Sequence, residues 1–131
     1  MSELREKIRQ TIESEDVVLF MKGTPEAVYC GNSARALEAL RTVGAPVTAV
    51  DVLPDPEIRQ ELSALSNWPT IPQVFVGGEL VGGADIVEEL AETGELREKL
   101  AASLGDDWTD GGRKERVVTL GESPNPFRLV N

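Results

Sequence analysis

The chain has no histidine and a single cysteine, Cys30, and both shortages narrow its chemistry. Without histidine, the sequence contains neither a histidine-ligated zinc site nor a Ser–His or Cys–His catalytic pair. One cysteine cannot form a disulfide within its own chain. Any redox or metal chemistry at Cys30 therefore needs a second sulfur, either from a small thiol or from another protein chain.

Long apolar runs are also missing from this sequence. No stretch of about eighteen apolar residues occurs, so no transmembrane helix is expected. Residues 1–10 alternate acids with bases and lack an apolar centre, a pattern that differs from a signal peptide. Together with the single cysteine, these features predict a cytoplasmic protein in a compartment where thiols stay reduced.

Acidic residues outnumber basic ones by 23 to 13, which gives the chain a net charge of −10. A surface this acidic repels nucleic acid and anionic membranes, so neither is expected as a partner. The excess of acids also fits a salty cytoplasm, but an ordinary acidic protein is the simpler interpretation. Hydrophobic residues make up 40% of the 131 residues, enough for one domain with an ordinary core.

Hydrophobic spacing predicts elements in the order α-β-α-β-α-β-β-α-α. Helices are expected at 2–13, 33–43, from 56, from 85 and at 95–104, and strands at 16–21, 46–52, 73–76 and 79–81. A helix joins the first two strands, which are therefore expected to be parallel, whereas Gly77-Gly78 predicts a hairpin between the last two. The expected fold class is α/β, with a four-stranded mixed sheet and helices on both faces.

The character of the chain changes after residue 104, where polar and turn-forming residues become frequent. We expect a domain over residues 1–104 and a partly irregular C-terminal extension over residues 105–131, either disordered or draped over the domain. Residues 117–120 fit one further strand. Trp108 and Phe127 are expected to anchor the extension on the domain.

Cys30 follows a proline-containing loop and stands where the second predicted helix begins. Unpaired backbone N–H groups at a helix N-terminus favour a thiolate, which is the form that attacks disulfides and binds soft metals. The alternative is a buried, unreactive cysteine of the core.

Several separated motifs, in the same order, resemble the monothiol glutaredoxins of the thioredoxin fold, over about residues 1–104. These motifs are Met21-Lys22-Gly23-Thr24-Pro25-Glu26, Cys30-Gly31-Asn32-Ser33, Asp55-Pro56-Glu57-Ile58-Arg59, Trp68-Pro69-Thr70-Ile71-Pro72-Gln73 and Gly82-Gly83-Ala84-Asp85-Ile86. Two positions depart from the family. Asn32 replaces the phenylalanine of the usual Cys-Gly-Phe-Ser loop, and Ala84 stands where the family often has cysteine.

The resemblance implies a [2Fe–2S] cluster held between two subunits. Each subunit gives one cysteine thiolate, here Cys30, and two glutathione molecules give the other two sulfurs. Cys30 is then both the catalytic nucleophile and the metal ligand. The implied partners are glutathione or a similar small thiol, a second copy of the chain, and iron–sulfur client or assembly proteins. Asn32 bears on cluster stability, because it opens the site to water or changes the dimer packing.

The resemblance also assigns five further residues to the binding of glutathione. Lys22 and Arg59 pair with glutathione carboxylate, and Lys22 also favours the Cys30 thiolate. A cis peptide after Ile71 presents the Ile71 backbone to the cysteinyl part of glutathione. Ala84, through its backbone, and Asp85 bind the γ-glutamyl end at a helix N-terminus.

Each of these assignments has a plain structural alternative. Lys22 is then a solvated surface lysine, and Arg59 pairs with a glutamate on its own helix, which the local sequence alone favours. The bond after Ile71 is then trans, as in most loops before an edge strand. Asp85 is then only the N-cap of its helix.

Three functions stay open from the sequence. The first is carriage or transfer of an iron–sulfur cluster. The second is glutathione-dependent thiol–disulfide exchange, such as protein deglutathionylation, which Asn32 slightly favours because it departs from the cluster-associated loop. The third is an interaction module that keeps the fold without the chemistry. Whether the protein is an enzyme is left open.

Overall fold

The computed structural model of this chain describes residues 2–106, 108 and 115–120. The helices are α1 (Glu3–Ser14), α2 (Gly31–Thr42), α3 (Pro56–Ser66), α4 (Ala84–Thr93) and α5 (Glu95–Leu104). The strands are β1 (Val17–Met21), β2 (Gly23–Thr24), β3 (Ala27–Val28), β4 (Val47–Asp51), β5 (Gln73–Val76), β6 (Glu79–Gly82) and β7 (Glu115–Val118). These elements follow the predicted order, with a short β2–β3 hairpin and β7 in addition.

Local capping residues fix where the helices begin. Ser2 accepts the Arg5 N–H at 3.0 Å and caps α1. Asp55 accepts the Glu57 N–H at 2.9 Å, and α3 starts on Pro56, whose fixed backbone suits the first helical position. Both starts agree with the sequence pattern.

The main sheet has the strand order β6-β5-β1-β4-β7. β1 pairs in parallel with β4, with Val18 opposite Thr48, and antiparallel with β5, with Val17 opposite Val76. β5 and β6 form the predicted antiparallel hairpin. Gly77 and Gly78 have φ angles of 58° and 85° at its turn, a region that glycine enters without steric cost.

The sheet has five strands rather than the predicted four, because β7 pairs in parallel with β4. An unpaired edge strand offers a row of free N–H and C=O groups, and β7 takes those of β4. The strand begins two residues before the stretch 117–120 that the sequence indicated. Trp108 packs against the core as predicted, whereas Phe127 lies outside the described residues.

Alternate residues of β1 enter two separate hydrophobic clusters. Val18 and Phe20 pack with α1 and α3, whereas Leu19 and Met21 pack with α2, α4 and α5. This alternation confirms the prediction of helices on both faces of the sheet. No helix among the described residues is long and apolar enough to cross a membrane.

Candidate functional site

Cys30 lies where the β2–β3 hairpin ends and α2 begins. The Tyr29 N–H donates to the Lys22 carbonyl at 2.9 Å, so the chain returns to the end of β1 just before the cysteine. Cys30 is the N-cap residue of α2, in extended conformation, and its carbonyl accepts the Ala34 N–H at 2.9 Å. The predicted position at a helix start is therefore confirmed, and α2 begins two residues earlier than expected.

The pKa of the Cys30 thiol lies below its ordinary value. Burial is the largest influence and raises the pKa, but the Ser33 N–H, the Ser33 hydroxyl, the Asn32 N–H and the Lys22 ammonium together outweigh it. The Cys30 side chain makes no regular capping hydrogen bond, so these groups act on the thiolate as neighbouring dipoles and charge. The thiol is only partly buried, unlike an unreactive cysteine of the core.

Ser33 interacts with the Cys30 thiol through its N–H and its hydroxyl, and it was not singled out from the sequence. Its side chain is fully buried, and its hydroxyl accepts the Lys22 backbone N–H at 3.1 Å. The hydroxyl therefore connects the end of β1 to the first turn of α2. Two signals in the sequence pointed to it: its place three residues after Cys30, which fits the first turn of a helix, and its position at the end of the Cys30-Gly31-Asn32-Ser33 motif.

One groove, the Trp68 groove, has a volume of about 270 Å³. It is lined by Asn32, Trp68, Thr70, Ile71, Pro72, Gly83, Ala84, Asp85 and Ile86. The structure thus brings together three residues that the sequence assigned to one ligand, Ile71, Ala84 and Asp85. The Ile71–Pro72 peptide bond is cis, as predicted.

The loop along the Trp68 groove is held by a buried amide. Gln73 is fully buried, and its Nε2 donates to the carbonyls of Trp68, at 2.9 Å, and Thr70, at 3.2 Å. The indole Nε1 of Trp68 is buried and has no acceptor among the described residues. A buried N–H without a partner is costly, so a ligand oxygen in this groove is a chemically suitable acceptor.

A second groove, the Lys22 groove, has a volume of about 550 Å³. It is lined by Lys22, Val52, Leu53, Pro56, Arg59, Gln60 and Ser63. Lys22 and Arg59 therefore face one cavity. Within residues 2–106, 108 and 115–120, neither cation forms an ion pair, so the expected alternative of Arg59 paired with a glutamate is not observed.

Asp51, at the end of β4, shapes the Lys22 groove. One oxygen, Oδ1, accepts the N–H groups of Gly23 and Leu53, both at 2.9 Å. Gly23 has a φ of 104°, and a Cβ there would lie 2.2 Å from the Ala27 carbonyl oxygen, so glycine is required at this turn. This role of Asp51 was not identified from the sequence, because the Gly23 N–H comes from a segment 28 positions away.

Four polar side chains form a network at the edge of the Trp68 groove, the rim network of Asn32, Arg35, Asp85 and Glu88. Arg35 donates from Nη1 to Asn32 Oδ1 at 3.0 Å, from Nη2 to Asp85 Oδ1 at 2.6 Å, and from Nε to Glu88 at 3.1 Å. Its Nη2 also donates to the second Glu88 oxygen. These contacts join the N-terminal halves of α2 and α4.

The rim network joins charged side chains close to the start of α4. The hydrogen bond from Arg35 lowers the pKa of Glu88, and hydrogen bonds to Glu88 and Asp85 raise the pKa of Arg35, so Arg35 and Glu88 both stay charged near neutral pH. The N-cap of α4 is Gly83, and Asp85 lies in the first turn, so the alternative that Asp85 caps the helix is wrong. Arg35 itself was not singled out from the sequence.

The comparisons with known proteins agree with this geometry. A family model described as Glutaredoxin matches residues 17–81. Glutaredoxin 4 of Pasteurella multocida (strain Pm70) is 48% identical over 99 residues, which are 76% of this chain and 91% of that protein. The chain belongs to the glutaredoxin family. Monothiol glutaredoxin-S11 of Oryza sativa subsp. japonica is 47% identical to this glutaredoxin over 98 residues, 75% of the chain, which spans 20% of that longer protein.

Solved structures place this glutaredoxin in the thioredoxin-like fold. Reduced apo GrxS14 of poplar has a TM-score of 0.69 and 38% identity, over 77% of this chain and 93% of that one. A buckwheat glutaredoxin–glutathione complex has a TM-score of 0.68 and 27% identity, over 76% of this chain and 89% of that one. The resemblance to monothiol glutaredoxins seen in the sequence is thereby confirmed.

Proposed function

We propose that this glutaredoxin binds glutathione across the two grooves and carries a [2Fe–2S] cluster that two copies of the chain share. The observation that carries the proposal is the contact of Cys30, a lone thiol with a lowered pKa, with one residue of each groove. Asn32, which lines the Trp68 groove, and Lys22, which lines the other, both stabilise its thiolate. A thiol-containing ligand spanning both grooves would therefore pass beside the sulfur.

The charges of the grooves match those of glutathione. Lys22 and Arg59 suit its glycyl carboxylate, and the Ile71 backbone, next to the cis bond, suits pairing with its cysteinyl residue. Ala84 and Asp85, in the first turn of α4, suit its γ-glutamyl end. The buckwheat glutaredoxin–glutathione complex supports a small thiol as the ligand of this fold.

The sulfur count determines how a cluster would be held. A [2Fe–2S] cluster takes four ligands, whereas one chain supplies only Cys30. Among the described residues, no group of three or more His, Cys, Asp or Glu side chains could hold a metal ion. Two chains and two glutathione molecules supply four sulfurs, so the donor set fits a shared cargo in a homodimer. A reducing cytoplasm suits such thiols.

Anaerobic reconstitution tests the cluster directly. The full chain is incubated with iron, sulfide and glutathione, and cluster absorption in the visible range and oligomeric state are measured, with Cys30→Ser as the paired variant. We expect absorption and a dimer for the native protein, and neither for Cys30→Ser. No absorption from the native protein, or full retention by the variant, would contradict cluster carriage.

Protein deglutathionylation is the second candidate, because Asn32, which accepts a hydrogen bond from Arg35, departs from the cluster-associated Cys-Gly-Phe-Ser loop. The Cys30 thiolate attacks the glutathione sulfur of a protein–glutathione disulfide, and the protein thiolate leaves. A second glutathione, after losing a proton that the released thiolate takes up, attacks the Cys30–glutathione disulfide at the glutathione sulfur. Glutathione disulfide leaves and the Cys30 thiolate returns.

A deglutathionylation assay separates the two candidates. The release of a protein thiol from a glutathionylated substrate is followed with and without the protein, at one glutathione concentration. A rate above that of free glutathione, lost in Cys30→Ser, supports exchange. A rate equal to that of free glutathione contradicts it, whatever the cluster experiment shows.

A further inference from the structure

Arg35 is a charged residue of the rim network that the glutathione assignment leaves without a role. Its guanidinium has five N–H groups, four of which donate to Asn32, Asp85 and Glu88. The fifth, on Nη1, has no acceptor among the residues that the structure describes. Arg35 itself lines a separate groove with Glu88. Because its Nη1 donates to Asn32 and its Nη2 to Asp85, two wall residues of the Trp68 groove, the guanidinium also lies at the edge of that groove.

Asp85 also keeps a free binding position. Arg35 donates only to its Oδ1, and the Asp85 side chain is 88% exposed, so Oδ2 is open to a ligand. The side chain of Arg35 is 42% exposed. A positive and a negative group thus stand 2.6 Å apart at the groove edge, and each retains one polar contact to offer.

The charge balance at this edge depends on Arg35. Asp85 and Glu88 lie three residues apart on α4, and Arg35 neutralises one of their two negative charges. Without Arg35, the edge would carry two carboxylates and would favour any ammonium group. With Arg35, it offers both signs of charge at a short separation, which is the charge pattern of an α-amino acid.

We infer that Arg35 is a specificity-determining residue: with Asp85 it selects ligands whose end in the Trp68 groove is a zwitterionic α-amino-acid head. The ligand ammonium contacts Asp85 Oδ2, and the ligand α-carboxylate contacts the guanidinium through Nη1. Glu88 holds the guanidinium in place while this contact forms. The inference rests on the proposed binding of glutathione, whose γ-glutamyl end is such a head.

The test compares two ligands by isothermal titration calorimetry. One is glutathione, and the other is γ-aminobutyryl-cysteinyl-glycine, which keeps the amine and lacks the α-carboxylate. The variants are Arg35→Gln, which removes the charge, and Arg35→Lys, which keeps it. Arg9→Gln is the matched control, since the Arg9 side chain is 40% exposed and also bridges two carboxylates, on α1.

The measured quantity is the preference, the ratio of the two dissociation constants, which does not depend on the fraction of active protein. Arg35→Gln should lose affinity for glutathione and gain affinity for the analogue, so the preference should fall about fivefold, as for partly exposed charges. Arg35→Lys should retain most of the preference, and Arg9→Gln all of it.

An unchanged preference in Arg35→Gln would overturn the inference while leaving glutathione binding intact. An equal loss for both ligands would also overturn it, because Arg35 would then act on the groove as a whole. If the native protein binds no glutathione, the proposed function fails and the inference fails with it.

Discussion

The Lys22 groove and the Trp68 groove differ in whether their charged side chains are already paired. In the Lys22 groove, Lys22 and Arg59 have no ion-pair partner among the described residues, so an incoming carboxylate meets two available cations. At the Trp68 groove, Asp85 is already paired with Arg35. The comparison teaches that the first groove should contribute affinity and the second should contribute selectivity, because replacing an existing ion pair changes little net energy.

The largest effect is expected from the Lys22 groove. Arg59→Ala should raise the dissociation constant of glutathione about tenfold, since a charge-assisted hydrogen bond to a carboxylate is lost. Calorimetry measures this, with Arg97→Ala, at an exposed position of α5, as the control. If Arg59→Ala and Arg97→Ala bind glutathione with equal affinity, Arg59 is not part of the site. If the native protein binds no glutathione, an interaction module becomes the favoured function.

Ser33→Ala tests what the two grooves share, the Cys30 thiolate. The Ser33 hydroxyl helps to lower the thiol pKa, so its removal should raise that pKa and move the pH profile of alkylation to higher pH. The alkylation rate should fall about threefold to tenfold at neutral pH, because less thiolate is present. Lowering the pH should slow both proteins as the thiolate takes up a proton.

Iodoacetamide kinetics measured across neutral and alkaline pH check this expectation. Ser103→Ala, an exposed serine of α5, is the control and should keep the native profile. A profile for Ser33→Ala that coincides with the native one would show that the hydroxyl does not act on the thiolate.

Asp51→Ala tests the difference between the two grooves, because it should disturb the Lys22 groove and leave the Trp68 groove unchanged. Two N–H groups lose their acceptor, so the Lys22 groove should loosen and glutathione should bind about threefold more weakly. The preference for glutathione over the analogue without the α-carboxylate should not change, because Asp51 has no contact with the rim network. Asp51→Asn retains the acceptor oxygen and should bind normally, so a loss in that variant would point to charge instead.

The smallest effect on the site is expected from β7. Arg41 donates to both carboxylate oxygens of Glu115, at 2.7 and 2.9 Å, and joins α2 to β7. Glu115→Gln should lower the free energy of unfolding by about 1 kcal/mol, as for a partly buried ion pair, and leave glutathione affinity unchanged. Urea unfolding measures the first quantity, with exposed Glu89→Gln as the control. A clear loss of glutathione affinity in Glu115→Gln would show that β7 influences the glutathione site.

The elements and the reacting atom were predictable because their signals are local. Alternation along β1, the Gly77-Gly78 turn and the Asp55-Pro56 cap each depend on neighbouring residues. Cys30 was identified from its place between a strand and a helix. The predictions of a cis bond after Ile71 and of Lys22 and Arg59 as ligands of a glutathione carboxylate came instead from the family resemblance.

What the sequence did not predict depends on contacts between distant segments. Arg35 and Asp85 are 50 positions apart, and Arg35 looks like an ordinary polar residue of an amphipathic helix until α4 is placed beside α2. Asp51 likewise resembles a strand-end residue. The fifth strand was indicated only as a short apolar stretch, and nothing local specified that it would pair with β4.

That fifth strand limits how two copies of the chain can meet. β7 already occupies the hydrogen-bonding edge that β4 would present to a neighbouring sheet, so a continuous sheet cannot be built across the two copies through β4. In the dimer that we propose, the shared cluster would instead place the contact at the end of the molecule that carries Cys30. The face that holds the cluster would then also be the face on which the two copies meet.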